Sequence, residues 1–114
     1  MARTLIERDL KRSSASLLVL ALLDEEPLHG YEIGKRIEAR SAGTIAFNAA
    51  SLYPLLYRLE DRGWISGRWH QGAGERRRRF YRITAEGRRT LSGERGLWRS
   101  FVTALDSIAN LKKL

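Results

Sequence analysis

The chain has 114 residues and a net charge of +8, with 21 lysine and arginine residues against 13 acidic ones. Its length fits one small domain, and the lack of cysteine excludes disulfides, thiol catalysis and metal sites built on cysteine. No apolar stretch approaches the roughly 20 residues of a membrane-spanning helix, and the N-terminus lacks the pattern of a secretory signal. We therefore expect a soluble, cytoplasmic protein that makes no membrane contact.

The excess positive charge comes mostly from arginine, which accounts for 17 of the cations. The planar guanidinium group forms paired hydrogen bonds with phosphate. Basic domains of this size often bind nucleic acid, but a basic surface also occurs for solubility or for membrane contact. The charge favours nucleic acid as a partner and leaves the other two interpretations open.

The N-terminal part of the chain predicts an extension and two helices. Residues 1–12 carry charges of both signs and are expected to form a helical extension or a loose arm. From Ser13 or Ser14 onwards the pattern leaves almost no polar face, which predicts a central helix that ends before Pro27. The next segment, 28–43, has apolar residues at helical spacing and predicts a second helix that closes at a glycine.

A third helix is predicted to start at Asn48 or Ser51, either of which can act as its N-cap. A late start places Pro54 in the first turn, where its missing N–H has no effect, and an early start bends the helix slightly. Leucines at helical spacing form its apolar face, and Gly63 ends it. The preceding segment, 44–47, is too short to assign beyond a brief strand.

The period of the apolar residues then changes from that of a helix to that of a strand. "WISGRWH" (64–70) and "RRRRFYRIT" (76–84) are separated by "QGAGE" (71–75), a turn that contains glycine. Together they predict a two-stranded β-hairpin. Trp64 and Trp69 flank the first strand and are expected in the core.

A last helix is predicted from Thr84, which can cap it, to the C-terminus. Three glycines in its first half predict a bend or fraying there. Apolar residues that repeat every seven positions indicate a helix–helix interface. The residues expected to form a dimer along it are Leu97, Trp98, Phe101, Val102, Leu105, Ile108 and Leu111.

This order of elements is the layout of a winged helix-turn-helix. In that layout the third helix enters the DNA major groove, and the hairpin, called the wing, lies along the backbone or the minor groove. The predicted fold is therefore mainly α with a small β-hairpin (α+β). Residues 1–84 are expected to form the winged helix-turn-helix with its N-terminal extension, and residues 85–114 a C-terminal dimerisation helix.

The start of the third helix carries small and polar residues on its outer face instead of charges. Short side chains let the backbone approach base edges, and hydroxyl and amide groups can donate to and accept from bases and phosphates. The residues that fit this requirement are Asn48, Ala49, Ser51 and Tyr53, with Arg58 a turn further on for a phosphate. The alternative is that Asn48 and Ser51 are only caps and that Tyr53 packs on a neighbour.

The predicted wing is unusually basic. "GERRRRFYR" (74–82) contains five arginines and one acidic residue. Because strand residues alternate between faces, Arg77 and Arg79 are expected to share one face. The opposite face then carries Arg76 and Arg78. Phosphate contacts by these side chains would make binding strongly dependent on salt, and the alternative is a solvated turn.

Catalytic chemistry has little support in the sequence. His29 and His70 are isolated, without carboxylate partners or the spacing of metal ligands, and no glycine-rich phosphate loop is present. His29 is expected to cap the second helix or to pack against it. We therefore expect no enzyme activity, no metal and no cofactor.

Three motifs, in this order and at this spacing, resemble the PadR family of bacterial transcriptional regulators. They are "LLVLALLDEEPLHGYEI" (17–33), "SLYPLLYRLEDRGWI" (51–65) and "RRFYRITAEG" (78–87). The resemblance, to the short members with a single C-terminal dimerisation helix, implies a homodimeric winged-helix repressor. Such a repressor binds an inverted repeat in a promoter and releases it when a small, often aromatic, effector binds.

The resemblance also implies roles for single residues. Tyr31, the "SLYP" residues 51–54 and the basic wing residues stand at or near DNA, and an aromatic residue at the position of Trp98 lines an effector cavity between subunits. Many members have glycine where this chain has Ala50, a departure that bears on operator preference. The expected DNA-binding residues are Tyr31, Lys35, Asn48, Ala49, Ser51, Tyr53, Arg58, Arg76, Arg77, Arg78 and Arg79. The expected effector-binding residues are Trp98, Phe101 and Leu17.

Two other classes of function stay open on the sequence alone. One is a small-molecule-binding or protein-interaction module without DNA function, for which Trp98 could contact a planar ligand. The other is RNA binding through the arginine-rich wing. A ligand-responsive regulator of double-stranded DNA is favoured, because the third helix and the wing occur together.

Overall fold

A computed structural model of the protein describes residues 5–74 and 76–113. Parts of three predicted elements lie outside this range: residues 1–4 of the N-terminal extension, Glu75 of the turn and Leu114 of the last helix. The elements are α1 (Leu5–Glu25), β1 (Leu28–His29), α2 (Gly30–Arg40), α3 (Ala49–Asp61), β2 (Ile65–His70), β3 (Arg78–Ile83), α4 (Ala85–Ala109) and a 3-10 turn (Leu111–Lys113). Four α-helices with a small antiparallel sheet confirm the predicted α+β fold.

Helix α1 begins at Leu5, so the predicted helix start at Ser13 or Ser14 is wrong. The described part of the N-terminal extension is helical and continuous with the central helix. The Ser14 hydroxyl does not cap a helix but donates to the carbonyl of Leu10 one turn earlier, at 2.8 Å. The C-terminal half of α1 supplies the centre of the core, where Val19 and Leu20 are fully buried.

The sheet has three strands in the order β1–β3–β2, one more than predicted. Leu28 and His29, predicted to open the second helix, instead pair antiparallel with Tyr81 and Phe80 of β3. Helix α2 therefore begins at Gly30. The segment 44–47 contains no strand. A strand of two residues is too short to show a period of its own, so only its partner strand reveals it.

The caps of α2 and α4 agree with the sequence. The Nδ1 atom of His29 accepts from the backbone N–H of Glu32 at 3.4 Å, which confirms His29 as the cap of α2. The hydroxyl of Thr84 accepts from the N–H of Gly87 at 3.0 Å at the start of α4. Helix α4 ends earlier than predicted, because Asn110 takes a left-handed conformation with φ of 59°.

Gly87 brings α4 into direct contact with the start of β2. A Cβ atom on Gly87 would lie 2.0 Å from the carbonyl oxygen of Trp64 and 2.8 Å from Cγ1 of Ile83. The glycines of α4 were expected to produce a bend or fraying, but the helix is continuous from Ala85 to Ala109. Packing thus explains one of these glycines better than flexibility does.

The core lies between the apolar faces of α1, α2 and α3 and the inner face of the sheet. Leu56, Leu59, Ile33 and Ile65 are almost fully buried there, and Leu91 adds the start of α4. Within the residues that the structure describes, no helix is both long enough and apolar enough to cross a bilayer.

Candidate nucleic-acid interface

The first turn of α3 is exposed and is capped by Asn48. The Oδ1 atom of Asn48 accepts from the N–H of Ser51 at 2.9 Å, so the helix has the early of its two predicted starts. Ala49, Ser51 and Tyr53 lie exposed on the side opposite the buried leucines. Pro54 lies in the second turn, where it has no N–H to donate to a preceding carbonyl.

Tyr53 is held against the start of α2. A Cβ atom on Gly30 would lie 2.6 Å from Cε1 of the Tyr53 ring, so the glycine makes room for this contact. The neighbouring Tyr31 is 65% exposed, and the Lys35 ammonium lies 5.3 Å from the centre of its ring. Two adjacent helices therefore carry three of the predicted DNA-binding side chains: Tyr31 and Lys35 on α2 and Tyr53 on α3.

The wing is formed by β2 and β3, and its inner face continues the core face of the sheet. Trp69 pairs with Arg79 across the two strands. The guanidinium carbons of Arg77 and Arg79 lie 4.5 and 5.5 Å from the centre of the Trp69 ring, which confirms that they share a face. On the other side, an Nη1 atom of Arg78 lies 3.1 Å from Nε2 of His29.

Trp69 is 55% exposed, so its predicted place in the core is wrong. The hairpin extends beyond the helices that cover its base, and Trp69 lies in this extended part. Its ring packs against the arginines of β3 instead of core leucines. The prediction for Trp64 is confirmed, because this residue is half-buried and packs against the core.

An acidic residue that the sequence did not single out joins α3 to the wing. Oε2 of Glu60 accepts from Nη2 of Arg79 at 2.5 Å and from the backbone N–H of Gly67 at 3.2 Å. Both side chains of this ion pair are about 30% exposed. Glu60 and Arg79 are 19 positions apart on different elements, so no local pattern predicts the pair.

One open cleft lies between helix α3, the start of α2 and the wing. Its aromatic lining consists of Tyr31, Tyr53, Tyr57, Trp69 and Tyr81. Its charged lining consists of Arg76, Arg77, Arg78, Arg79 and Glu60. His29 and Gly30 complete it. The cleft is therefore aromatic at its walls and carries four guanidinium groups against one carboxylate.

Besides Trp69, two aromatic residues of the cleft were not predicted there. Tyr57 is 76% exposed and lies one turn after Tyr53 on the same side of α3, a spacing that could have identified it. Tyr81 is buried at the base of the cleft, and this burial raises the pKa of its hydroxyl, an effect that the nearby Arg79 opposes. Arg58 is exposed on α3 but does not line the cleft.

Helix α4 exposes an apolar face along its second half. The exposed residues are Leu97, Phe101, Val102, Leu105 and Ile108 on the helix and Leu111 just beyond it. Trp98 is half-buried, with its ring edge-to-face with that of Phe101 and the ring centres 6.3 Å apart. The N-terminal part of α1 also has exposed apolar residues, Leu5, Ile6 and Leu10, which the sequence did not single out.

Leu17, the third residue predicted to bind an effector, lies on α1 and is half-buried against the core. Helices α1 and α4 are joined near it, because the Ser16 hydroxyl donates to the Glu94 carboxylate at 2.9 Å. In residues 5–74 and 76–113, no three histidine, aspartate or glutamate side chains are placed to hold a metal ion.

Comparison with known proteins identifies the family to which the chain belongs. The model of the transcriptional regulator PadR-like family matches residues 19–93, which include every residue of the cleft. The chain belongs to the PadR-like family. Its resemblance to PadR regulators is thus confirmed, and its membership places it among transcriptional regulators.

Solved structures and a curated protein resemble this PadR-like chain over most of its length. A transcriptional regulator from Clostridium thermocellum has a TM-score of 0.80 and 28% identity, covering 87% of this chain and 96% of that one. A PadR family transcriptional regulator from Eggerthella lenta has a TM-score of 0.77 and 32% identity, covering 89% and 86%. An uncharacterized protein of Lysinibacillus sphaericus is 30% identical over 88 residues, 77% of this chain and 81% of its own length.

Proposed function

We propose that this PadR-like protein acts as a homodimer that binds an inverted repeat in double-stranded DNA and represses transcription there. Helix α3 enters the major groove, and the wing lies along the backbone or in the minor groove. The observation that carries this proposal is the cleft, because it brings the exposed start of α3 and the arginines of the wing to the same side of the molecule.

The start of α3 has the chemistry for contact with base edges. Ala49 has a short side chain, so that the helix can approach the base pairs closely. The Ser51 hydroxyl can donate and accept, and the Asn48 amide has two N–H donors besides the oxygen that caps the helix. Tyr53 adds a phenol beside them. These groups read sequence, whereas cations at the edges fix the position of the protein on the duplex.

The wing supplies the contacts to phosphate. Arg76, Arg77 and Arg78 are exposed, and in the described part of the chain none of them forms an ion pair with a carboxylate. Arginines without an acidic partner release counterions when they bind the DNA backbone. Lys35 beside Tyr31 and Arg58 on α3 extend this positive surface. Binding therefore weakens steeply as salt is raised.

Dimerisation places two copies of α3 on one face of the DNA. The apolar side chains on the second half of α4 pack against a partner subunit, and Leu5, Ile6 and Leu10 of α1 extend this interface. Exposed apolar patches of this kind mark interaction sites in soluble proteins. Burial of one leucine contributes roughly 1.5 to 3 kcal/mol, so burial of the whole set opposes the cost of association, roughly 4 to 15 kcal/mol.

A small aromatic molecule binds between the subunits and releases the DNA. Trp98 and Phe101 present aromatic rings on the dimer face of α4, and Leu17 contributes from α1. This response is tested by quenching of tryptophan emission with planar aromatic compounds and by release of labelled DNA. Quenching that persists in a Trp98→Phe variant would contradict this location.

Selection of bound sequences from random duplex DNA tests the proposed function. We expect an inverted repeat whose half-sites are about one helical turn, roughly 10 base pairs, apart. Sedimentation of the complex should give two subunits per duplex. Recovery of no preferred sequence, or of a single half-site bound by one subunit, would contradict the proposal.

A further inference from the structure

Glu60 is the one carboxylate among the residues that line the described part of the DNA-facing cleft. An acidic group close to DNA phosphates weakens binding by repulsion, so its presence there requires a reason. Its two hydrogen bonds supply one. Through Oε2 it contacts Arg79 on β3 and Gly67 on β2, so that a single side chain of α3 contacts both strands of the wing.

The Arg79 side chain crosses β2 to reach Glu60. A Cβ atom on Gly67 would lie 2.6 Å from Nε and 2.8 Å from Cζ of Arg79, so the glycine leaves the space through which the guanidinium passes. The same guanidinium lies 5.5 Å from the centre of the Trp69 ring. The exposed fraction of the Arg79 side chain is 29%, whereas Arg77 on the same face is exposed and has no carboxylate partner among the described residues.

We propose that Glu60 and Arg79 are positioning residues that fix the angle between the wing and α3, and that Arg79 does not contact phosphate. The inference rests on the proposed DNA binding and assigns Arg79 a role different from that of the other wing arginines. The pair is formally neutral, so three of the four adjacent arginines at positions 76–79 remain to contact phosphate. By holding the wing against α3, the pair fixes the distance between the two contact surfaces. It therefore favours duplexes in which α3 can contact the base edges while the wing contacts the phosphates.

The test compares two arginines that have the same charge and lie on the same face of β3. Binding of the selected operator and of a scrambled duplex is measured for Arg77→Gln and Arg79→Gln between roughly 50 and 200 mM salt. Arg77→Gln should lower the slope of log affinity against log salt by about two per dimer on both duplexes. Arg79→Gln should leave the slope unchanged and lower the preference for the operator about tenfold, the scale of one misread base pair.

Two further variants release Arg79 while leaving it in the chain. In Glu60→Gln the guanidinium loses its carboxylate, and in Gly67→Ala the new Cβ displaces it without any change of charge. Both should bind the scrambled duplex more tightly and lose operator preference, because the freed arginine can then reach phosphate. The double variant Glu60→Gln/Arg79→Gln should match Arg79→Gln in operator preference and bind both duplexes more tightly, because the unpaired carboxylate is gone. If the melting temperature shows that a glutamine variant folds poorly, the operator preference of Gly67→Ala decides whether the inference holds.

The outcomes separate this inference from the proposed function. If the unaltered protein binds DNA and Arg79→Gln lowers the salt slope as much as Arg77→Gln does, Arg79 is a phosphate contact and the inference is overturned alone. Unchanged operator preference in both Glu60→Gln and Gly67→Ala would also overturn it. If the unaltered protein binds no duplex even in dilute buffer, the proposed function is overturned, and the inference with it.

Discussion

Gly30 and Tyr53 are in contact across the helix-turn-helix, with space for a hydrogen but not for a methyl group between them. A Cβ atom on Gly30 would lie 2.6 Å from Cε1 and 3.1 Å from Cζ of the tyrosine ring. This contact joins the start of α2 to the exposed first turns of α3. The orientation of Tyr53 at the proposed DNA surface therefore depends on a residue of another helix.

We expect Gly30→Ala to weaken operator binding about tenfold, because it displaces the Tyr53 ring from the proposed base-reading groups, where one misplaced contact costs roughly 1–3 kcal/mol. Alanine is a better helix former than glycine by about 1 kcal/mol, so a loss of affinity would not reflect a weaker helix. Fluorescence anisotropy with labelled operator measures the effect. Gly93→Ala is the control, since nothing lies within 4 Å of its Cβ. Equal affinities for the two variants would contradict the role given to Tyr53.

A second glycine is important for stability. In Gly87→Ala the new Cβ would meet the backbone carbonyl of Trp64 at 2.0 Å, and backbone cannot move aside as a flexible side chain can. We expect the free energy of unfolding to fall by roughly 3 kcal/mol, at the upper end of the usual cost of overpacking. Urea denaturation at fixed protein concentration measures it. Gly96→Ala, which meets nothing within 4 Å, should be neutral or stabilising, and a similar result for both variants would count against this close contact.

The apolar face of α4 gives a prediction about assembly. Leu105→Asp places a charge in the middle of the proposed dimer interface, where it would lose its hydration. We expect the variant to sediment as a monomer at micromolar concentration and to bind an operator no better than a single half-site. Thr103→Asp adds the same charge at an exposed position on the opposite side of the helix and should remain dimeric. A dimeric Leu105→Asp protein would show that the subunits associate elsewhere.

Tyr81 makes stability sensitive to alkaline pH. Burial raises the pKa of its hydroxyl above 10.0, the value of an exposed tyrosine. The folded protein therefore holds this proton more tightly than the unfolded chain does, and the resulting stability is fully present below pH 10.0. It is lost as the pH rises through the pKa of the folded state. Urea midpoints above and below pH 10.0 should fall less for Tyr81→Phe than for the unaltered protein, and parallel curves would contradict this prediction.

The parts of the fold that the sequence predicts correctly are those with a local signal. The leucines of α3 repeat at helical spacing, Thr84 and His29 are recognisable caps, and the arginines of the wing are adjacent in the chain. The alternation of faces even predicts that Arg77 and Arg79 lie together. Each of these features depends on neighbours within a few residues.

The features that the sequence does not predict depend on distant partners. His29 becomes part of a strand only because Phe80 lies beside it in β3. The pattern around Trp69 predicts a core residue, and only the length of the hairpin beyond the helices shows that it is exposed. Glu60 stands in a segment that reads as the end of a helix, and its partner Arg79 lies on the other side of a strand. Tertiary packing decides all three.

The proposed function depends most on the wing arginines as contacts to DNA. The decisive measurement compares Arg76→Gln/Arg77→Gln/Arg78→Gln with a triple variant that removes three exposed arginines of α4. That control is Arg89→Gln/Arg95→Gln/Arg99→Gln, which loses the same charge at positions exposed on α4. Binding of the selected operator is followed by anisotropy across a salt series for both proteins.

The wing variant should lose about a hundredfold or more in affinity at low salt, and its salt slope should be much flatter, because three phosphate contacts per subunit are gone. The α4 variant should keep an affinity close to that of the unaltered protein and an unchanged slope. Equal losses in the two variants would mean that only net charge matters. Unchanged binding by the wing variant would contradict the account itself.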